Sequence, residues 1–174
     1  NLQAKLAIGF ALLAIVSAGV ITGAIMISVR TRIYQDLRDH LRDAVSIGAL
    51  HVDGDAHALL TEPSQQDSST YLALKRQFQQ IRDAGTNFRF VYSLRNIDGV
   101  VQFIVDAEED PELVSYLGDI YTDLPQAVID LIPVMTEPYV NEEFYTDEWG
   151  AWLTGYAPIH RSDGTVDAVL AIDI

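Results

Sequence analysis

The sequence predicts an α+β domain with an antiparallel sheet, preceded by a helix that crosses a membrane. Three observations predict it. Residues 6–29 form an uncharged apolar run, the hydrophobic period switches from about 3.6 to about 2 near residue 88, and two hairpin patterns bracket a short helical stretch.

The first element is the run itself, LAIGFALLAIVSAGVITGAIMISV, interrupted only by Ser17, Thr22 and Ser28. At about 1.5 Å per residue it spans a hydrocarbon core of about 30 Å. A buried soluble helix of this length would carry a polar stripe, and a signal peptide has an apolar core of only about 7–15 residues. Ala14 and Ala18, with Gly19 and Gly23, place small residues on a common face and permit close helix–helix approach, although small residues are common in membrane helices anyway. Lys5 precedes the run and Arg30 and Arg32 follow it, so the positive-inside bias leaves the orientation open. The chain opens on Asn1 and stops at Asp173-Ile174 inside a strand pattern, so both ends are expected to be cuts in a longer protein.

Ile33, Leu37, Leu41, Ala44, Gly48 and Leu50 then recur at helical spacing, with Asp36, Arg38, Asp39, Arg42 and Asp43 between them. This amphipathic helix continues from the span. It packs on its own sheet, pairs with a second copy, or does both at different heights. Gly54 interrupts it, and Asp53 or Asp55 caps a turn over 56–60. Residues 61–70 are a polar loop, 71–84 a second helix with Leu72, Leu74, Phe78 and Ile81 apolar, and Gly85 sits at its C-cap. Residues 88–94 and 100–105 read as strands joined by Asn96-Ile97-Asp98-Gly99. Residues 112–117 and 126–132 are short helices or turns around Gly118 and Pro125. Residues 145–147 lead into a strand over 149–159, which turns at Ser162-Asp163-Gly164 into a last strand over 166–174.

Charge excludes one large class of function. The chain carries a net −14, and Arg161 is the sole Lys or Arg after Arg95, facing seventeen Asp and Glu. Residues 96–174 therefore carry −16 and residues 1–95 carry +2, which sum to that total. So acidic a half repels a phosphate backbone and favours cationic partners. Cysteine is absent, which removes disulfides, thiolate metal sites and a Cys nucleophile. The sequence has none of the common hydrolase, zincin, Walker or dinucleotide motifs, so no enzymatic activity, catalytic residue, metal site or cofactor is expected. His51, Asp53, Asp55 and His57 alternate as potential ligands, but a helix break with a capping Asp and solvated His explains them more simply. The acidic run Asp106, Glu108, Glu109, Asp110 and Glu112 lacks calcium-loop spacing and reads as a solvated loop.

Several segments together resemble a known family. They are His51-Val52-Asp53-Gly54-Asp55-Ala56-His57, Arg89-Phe90-Val91-Tyr92-Ser93-Leu94 with Val105-Asp106-Ala107, and above all YTDEWGAWLTGYAPI over 145–159, followed by Asp163-Gly164 and Ala171-Ile172-Asp173-Ile174. Over residues 30–174 the chain resembles the single-module Cache sensor domains of bacterial transmembrane receptors. The resemblance implies a PAS-like five-stranded antiparallel sheet with a long N-terminal helix continuous with the membrane span. It divides the chain into a membrane helix, 1–30, and an extracytoplasmic sensor domain, 31–174. Such domains lie between two spans of the inner membrane and face the periplasm or exterior. Their cytoplasmic outputs include cyclases, histidine kinases and chemotaxis modules, none of which is in this sequence.

The resemblance also implies a site. In amino-acid-binding members a Tyr-x-Asp and a final Asp hold the ligand ammonium, which here corresponds to Tyr145, Asp147 and Asp173. The family's Arg-x-Trp-Tyr segment for the ligand carboxylate is replaced by Gly118-Asp119-Ile120-Tyr121-Thr122-Asp123, without Arg or Trp. An amine or another cationic or polar ligand is therefore expected in place of an α-amino acid. Strand alternation sets Trp152, Thr154 and Tyr156 on one face and Trp149, Ala151, Leu153 and Gly155 on the other, with Tyr92 beside Phe88 and Phe90. The expected ligand-binding set is Tyr145, Asp147, Asp173, Tyr92, Trp152, Tyr156 and Tyr121. The competing reading makes Asp147 a turn cap, Asp173 a strand anchor and the aromatics core. The expected partners are a small ligand, the membrane and a second copy along residues 6–50, and no nucleic acid. The alternative function is a structural module that dimerises or docks an accessory protein.

Overall fold

The computed structural model describes residues 2–147 and 149–174. Asn1, and Glu148 within the 145–159 run, lie outside the described residues. The chain divides into two compact units, residues 1–39 and 40–174, with the division falling inside helix α1 (Leu2–Leu50).

In the first unit the large apolar side chains from Leu6 to Ile33 are exposed, on every side of the helix. The helix is long and apolar enough to cross a membrane.

In the second unit, Leu41, Val45, Gly48 and Ala49 are the buried face of the end of α1. Two of the six expected stripe positions, Leu41 and Gly48, belong to that face, while Leu50 is 81 % exposed. Helix α2 (Gly54–Ala58) starts two residues earlier than expected, with the Asp53 carboxylate accepting from Asp55 N and Ala56 N. Gly54 is there for space: a Cβ would sit 2.1 Å from the carbonyl oxygen of His160. The polar loop holds a 3-10 turn (Pro63–Gln65), whose Gln65 amide oxygen accepts from Thr61 N and Glu62 N. Helix α3 (Ser69–Ala84) is capped by Ser68 and buries Tyr71, Leu74 and Phe78, whereas Leu72 is 40 % exposed.

Five strands form one antiparallel sheet: β1 (Phe90–Ile97), β2 (Val100–Asp106), β3 (Tyr139–Val140), β6 (Thr154–His160) and β7 (Val166–Asp173), in the order β2-β1-β7-β6-β3. The first hairpin closes more tightly than the four-residue turn expected. Ile97 pairs with Val100, and Asp98 and Gly99 both take positive φ (52° and 88°), the conformation of a two-residue primed turn. Between β2 and β3, residues 112–117 form no helix, while α4 (Gln126–Leu131) and a 3-10 turn (Ile132–Val134) fill the second expected helical stretch. The expected 149–159 strand is broken at Leu153. Its first part, β5 (Ala151–Trp152), pairs with β4 (Tyr145–Thr146) as a separate two-stranded flap.

The two sheet faces have different covers. Leu41 and Val45 of α1 meet the backbone of Gly155, and Gly48 faces Leu170 and Ile81. The opposite face carries Phe90, Tyr92, Leu94, Phe103, Tyr156 and Ala171, packed beneath Tyr121, Leu124, Val128, Ile132 and Met135 from the segment between β2 and β3. The candidate site lies on this second face.

Candidate functional site

Alternation along each strand delivers the site. Phe90 and Tyr92 of β1, Phe103 and Asp106 of β2, and Asp173 at the end of β7 project from the same face, and the flap adds Asp147, Trp149 and Trp152 above them. Leu113, Ser115 and Tyr121 from the β2–β3 segment complete a cavity of about 20 Å³, room for one water molecule. Among the described residues its lining contains three carboxylates and no Arg, Lys or His.

Of the seven expected residues, the structure places Tyr92, Tyr121, Asp147, Trp152 and Asp173 in this lining. Tyr145 supports it from behind. Its hydroxyl lies 3.1 Å from Tyr121 OH and 3.1 Å from Thr154 Oγ1, whose single proton goes to Asp173. Tyr156 does not line the cavity; it is fully buried and stacks on Tyr139 at 6.3 Å.

Asp147 is the hub of the flap. Its Oδ1 accepts from Trp149 N (2.9 Å), Gly150 N (3.0 Å) and the Trp152 indole Nε1 (2.8 Å), while Oδ2 accepts from Tyr121 OH at 2.7 Å. It therefore caps a turn and faces the cavity at once, so the two readings of this residue are not exclusive. Asp173 is 3 % exposed. Its Oδ1 accepts from Thr154 Oγ1 at 2.6 Å and from Tyr92 OH at 3.3 Å. Burial raises its pKa to about 7, the Thr154 and Tyr92 hydrogen bonds oppose the rise, and repulsion from Asp147 and Asp106 adds to it. Burial likewise raises Tyr92, Tyr121, Tyr145 and Tyr156, so all four remain neutral donors at physiological pH.

The aromatic walls interlock. Phe103 stacks on Tyr121 at 4.9 Å, Trp149 meets both edge-on at 6.2 and 5.8 Å, and Trp152 meets Phe90 edge-on at 5.1 Å.

Three expectations are corrected. Strand alternation sets Trp149 on the face opposite Trp152, yet both line the cavity. Residues 149 and 150 precede β5, so the two-residue period does not govern Trp149. The acidic run is not a uniformly solvated loop: Asp106 and Glu108 are buried, and only Glu109, Asp110 and Glu112 are exposed. Glu108 pairs with Arg89 at 2.7 Å and its carboxyl falls to about 2, because backbone N–H donors and Arg89 outweigh its burial. Finally, His57 is not solvated. It is fully buried, donates Nδ1–H to Asp167 at 2.6 Å, and accepts from the Ser93 hydroxyl through Nε2 at 2.8 Å. Burial lowers its pKa, which keeps the ring neutral and fixes this tautomer beside an acceptor-only carboxylate. Asp167 also receives Arg95 and Arg161, at 2.7 and 2.6 Å. Asp53 is occupied in capping α2, Asp55 accepts from Ser162 N, and among the described residues no group of three or more His, Asp or Glu is placed to hold a metal.

Six lining residues, Phe90, Phe103, Asp106, Leu113, Ser115 and Trp149, lie outside the expected set. Only Asp106 carried a usable signal, an acid flanked by the apolar Val105 and Ala107.

No protein-family model matches the sequence, and no curated protein matches it. Solved structures do. The sensory domain of the Campylobacter jejuni chemoreceptor Tlp3 with isoleucine bound matches at a TM-score of 0.53 and 18 % identity, over 84 % of this chain and 55 % of that one. The ligand-binding domain of the same chemoreceptor in complex with 4-methylisoleucine matches at 0.51 and 18 %, over 84 % and 54 %. The chain thus spans about half the length of the solved domains it matches. At this identity the likeness concerns the fold, and on that level the chain has the fold of a chemoreceptor sensory domain.

Proposed function

We propose that the chain is a membrane-anchored, extracytoplasmic sensor domain of the Cache, PAS-like class, which binds a small ligand in the aromatic and acidic cavity and signals through α1. Residues 1–30 form the anchor and 31–174 the sensor, and a second copy pairs along the exposed side of α1. The observation that carries the reading is Asp173, a buried carboxylate at the floor of a cavity without a basic residue. Such a group favours a ligand that brings positive charge, and the aromatic faces suit a desolvated cation. The chemoreceptor domains that share the fold were solved with isoleucine and 4-methylisoleucine. An amino acid's carboxylate would find no cationic partner in this lining, so an amine fits better.

The cavity admits one water as it stands, so a ligand enters by displacing the flap that carries Asp147, Trp149 and Trp152. A route to α1 follows from the alternation of β6. Thr154 donates to Asp173 on the cavity face, and the next residue, Gly155, touches Leu41 and Val45 on the other. A ligand that binds one arrangement of this strand better than another shifts α1 by that difference in affinity.

Thermal-shift screening of the whole chain in detergent micelles against amines, amino acids, carboxylates and divalent ions tests the reading. An amine at 100 times its dissociation constant should add about 2.7 kcal/mol of stability. Asp173→Asn, which keeps the shape and removes the charge, should abolish the shift. The small cavity favours a second reading, a dimerising or docking module with no small ligand. Silence across the screen would establish that reading and sink the first.

A further inference from the structure

Asp106 reaches the cavity through an irregularity in the sheet. Along the β1–β2 ladder, Ile97 faces Val100, Asn96 faces Val101, Arg95 faces Gln102 and Leu94 faces Phe103, but Tyr92 faces Asp106. Two steps along β1 are matched by three along β2, so β2 carries a bulge. Without it, alternation from Phe103 would turn Val105 to the cavity and Asp106 to the helices. The extra residue puts the acid on the cavity face. The bulge is pinned from behind: Ser93 Oγ accepts from Val105 N at 3.1 Å, and the Ser93 hydroxyl is held by buried His57.

Asp106 has capacity to spare. Oδ1 accepts from Glu108 N and Oδ2 from Ser115 N, both at 2.8 Å, which stitches the following loop and uses half of the roughly four acceptor directions of a carboxylate. Lys75, which adds a favourable field at Asp106, is engaged with the Glu108 carbonyl and is not part of the lining. At the other side, both hydrogen bonds to Asp173 fall on Oδ1, and Oδ2 accepts none among the described residues.

The strand order fixes the spacing of these two acids. β1 lies between β2 and β7, with Asp106 opposite Tyr92 and Asp173 opposite Phe90. At about 4.8 Å per strand and about 3.3 Å per residue, their Cα atoms are about 12 Å apart. Between them stand Phe90 and Tyr92 of β1, whose rings line the same cavity. A single ammonium at Asp173 leaves Asp106 with only the field of Lys75, which stands outside the lining. A second ammonium, carried on a methylene chain laid across the rings, supplies a counter-charge within it.

Resting on the amine reading above, we propose that the site prefers a short α,ω-diamine, with one ammonium at Asp173 and Asp147 and the other at Asp106, and that Asp106 is the residue that sets this preference.

Calorimetric titration of the whole chain in detergent micelles tests it, with butylamine, 1,4-diaminobutane and the series from 1,3-diaminopropane to 1,6-diaminohexane as probes. At least one diamine should bind about tenfold or more tightly than the monoamine, with an optimum length in the series. Asp106→Asn should bring the diamine's affinity down to that of the monoamine measured on the same variant, whereas Asp173→Asn should weaken both. Equal affinity for monoamine and diamines overturns the proposal and leaves the amine reading standing. Binding of neither overturns both. If Asp106→Asn unfolds the loop it stitches, the length series on the unaltered chain still decides.

Discussion

Asp173 is where sequence and environment disagree most. A carboxylate normally ionises near pH 4, yet burial holds this one protonated up to about pH 7, among Tyr92, Tyr145, Tyr121 and Tyr156 and with Asp147 and Asp106 adding repulsion. The sign of its linkage follows. The folded state retains a proton that the unfolded chain releases, so its contribution is fully present below about pH 4 and is lost as pH rises through about 7. We expect the ligand-free protein to lose on the order of 4 kcal/mol over that window. Asp173→Asn should flatten that part of the profile, measured as denaturation midpoints against pH; an unchanged slope would contradict the burial argument. Asp167 shows the opposite outcome for the same residue type. Three donors, His57, Arg95 and Arg161, hold it far below the usual carboxylate range despite its burial.

At the scale of elements, the informative contact is between the end of α1 and strand β6. Gly155 leaves room for Leu41, whose Cγ would lie 2.9 Å from a Cβ added there, with Val45 Cγ1 at 3.3 Å. Gly155→Val should therefore destabilise the fold by about 1–3 kcal/mol through overpacking, read as a lower denaturation midpoint at constant m-value. If α1 is also the route by which the cavity reports, the same variant should alter ligand affinity although Gly155 does not line the cavity. A variant with wild-type stability would mean that α1 does not rest on β6. The flap is the other element whose role follows from its bonds. β4 and β5 are two residues each and make no pair with the main sheet, so the four donors gathered by Asp147 are what organise it.

For the whole molecule, an apolar helix followed by an acidic sensor fold makes a definite topological prediction. A reporter enzyme active only outside the cytoplasm, fused after Ile174, should be active in cells, and one active only in the cytoplasm should be silent. The reverse pattern would place the domain inside and remove the extracytoplasmic reading. The positive-inside bias alone cannot decide this, because Lys5 stands on one side of the run and Arg30 and Arg32 on the other.

The sequence by itself determined what depends on short range and on composition. The uncharged run, the period-2 segments, a turn within 96–99 and a cap at Asp53 or Asp55 are each written within a few neighbouring residues, and each reappears in the structure, the turn narrowed to Asp98-Gly99 and the cap settled on Asp53. Five of the seven expected ligand-binding residues also converge on one cavity; Asp147 and Asp173 come from the family resemblance, and strand alternation from Phe90 sets only the side of Tyr92. The remainder was decided by pairing across the chain. The bulge that turns Asp106 inward exists only when β2 meets β1, and the break at Leu153 that brings Trp149 over Phe103 exists only because the flap leaves the sheet. His57 and Asp167 are 110 residues apart, and burial changed that histidine from a solvated side chain to a neutral structural one. Register and burial are properties of the assembled sheet, so no local pattern could have announced them.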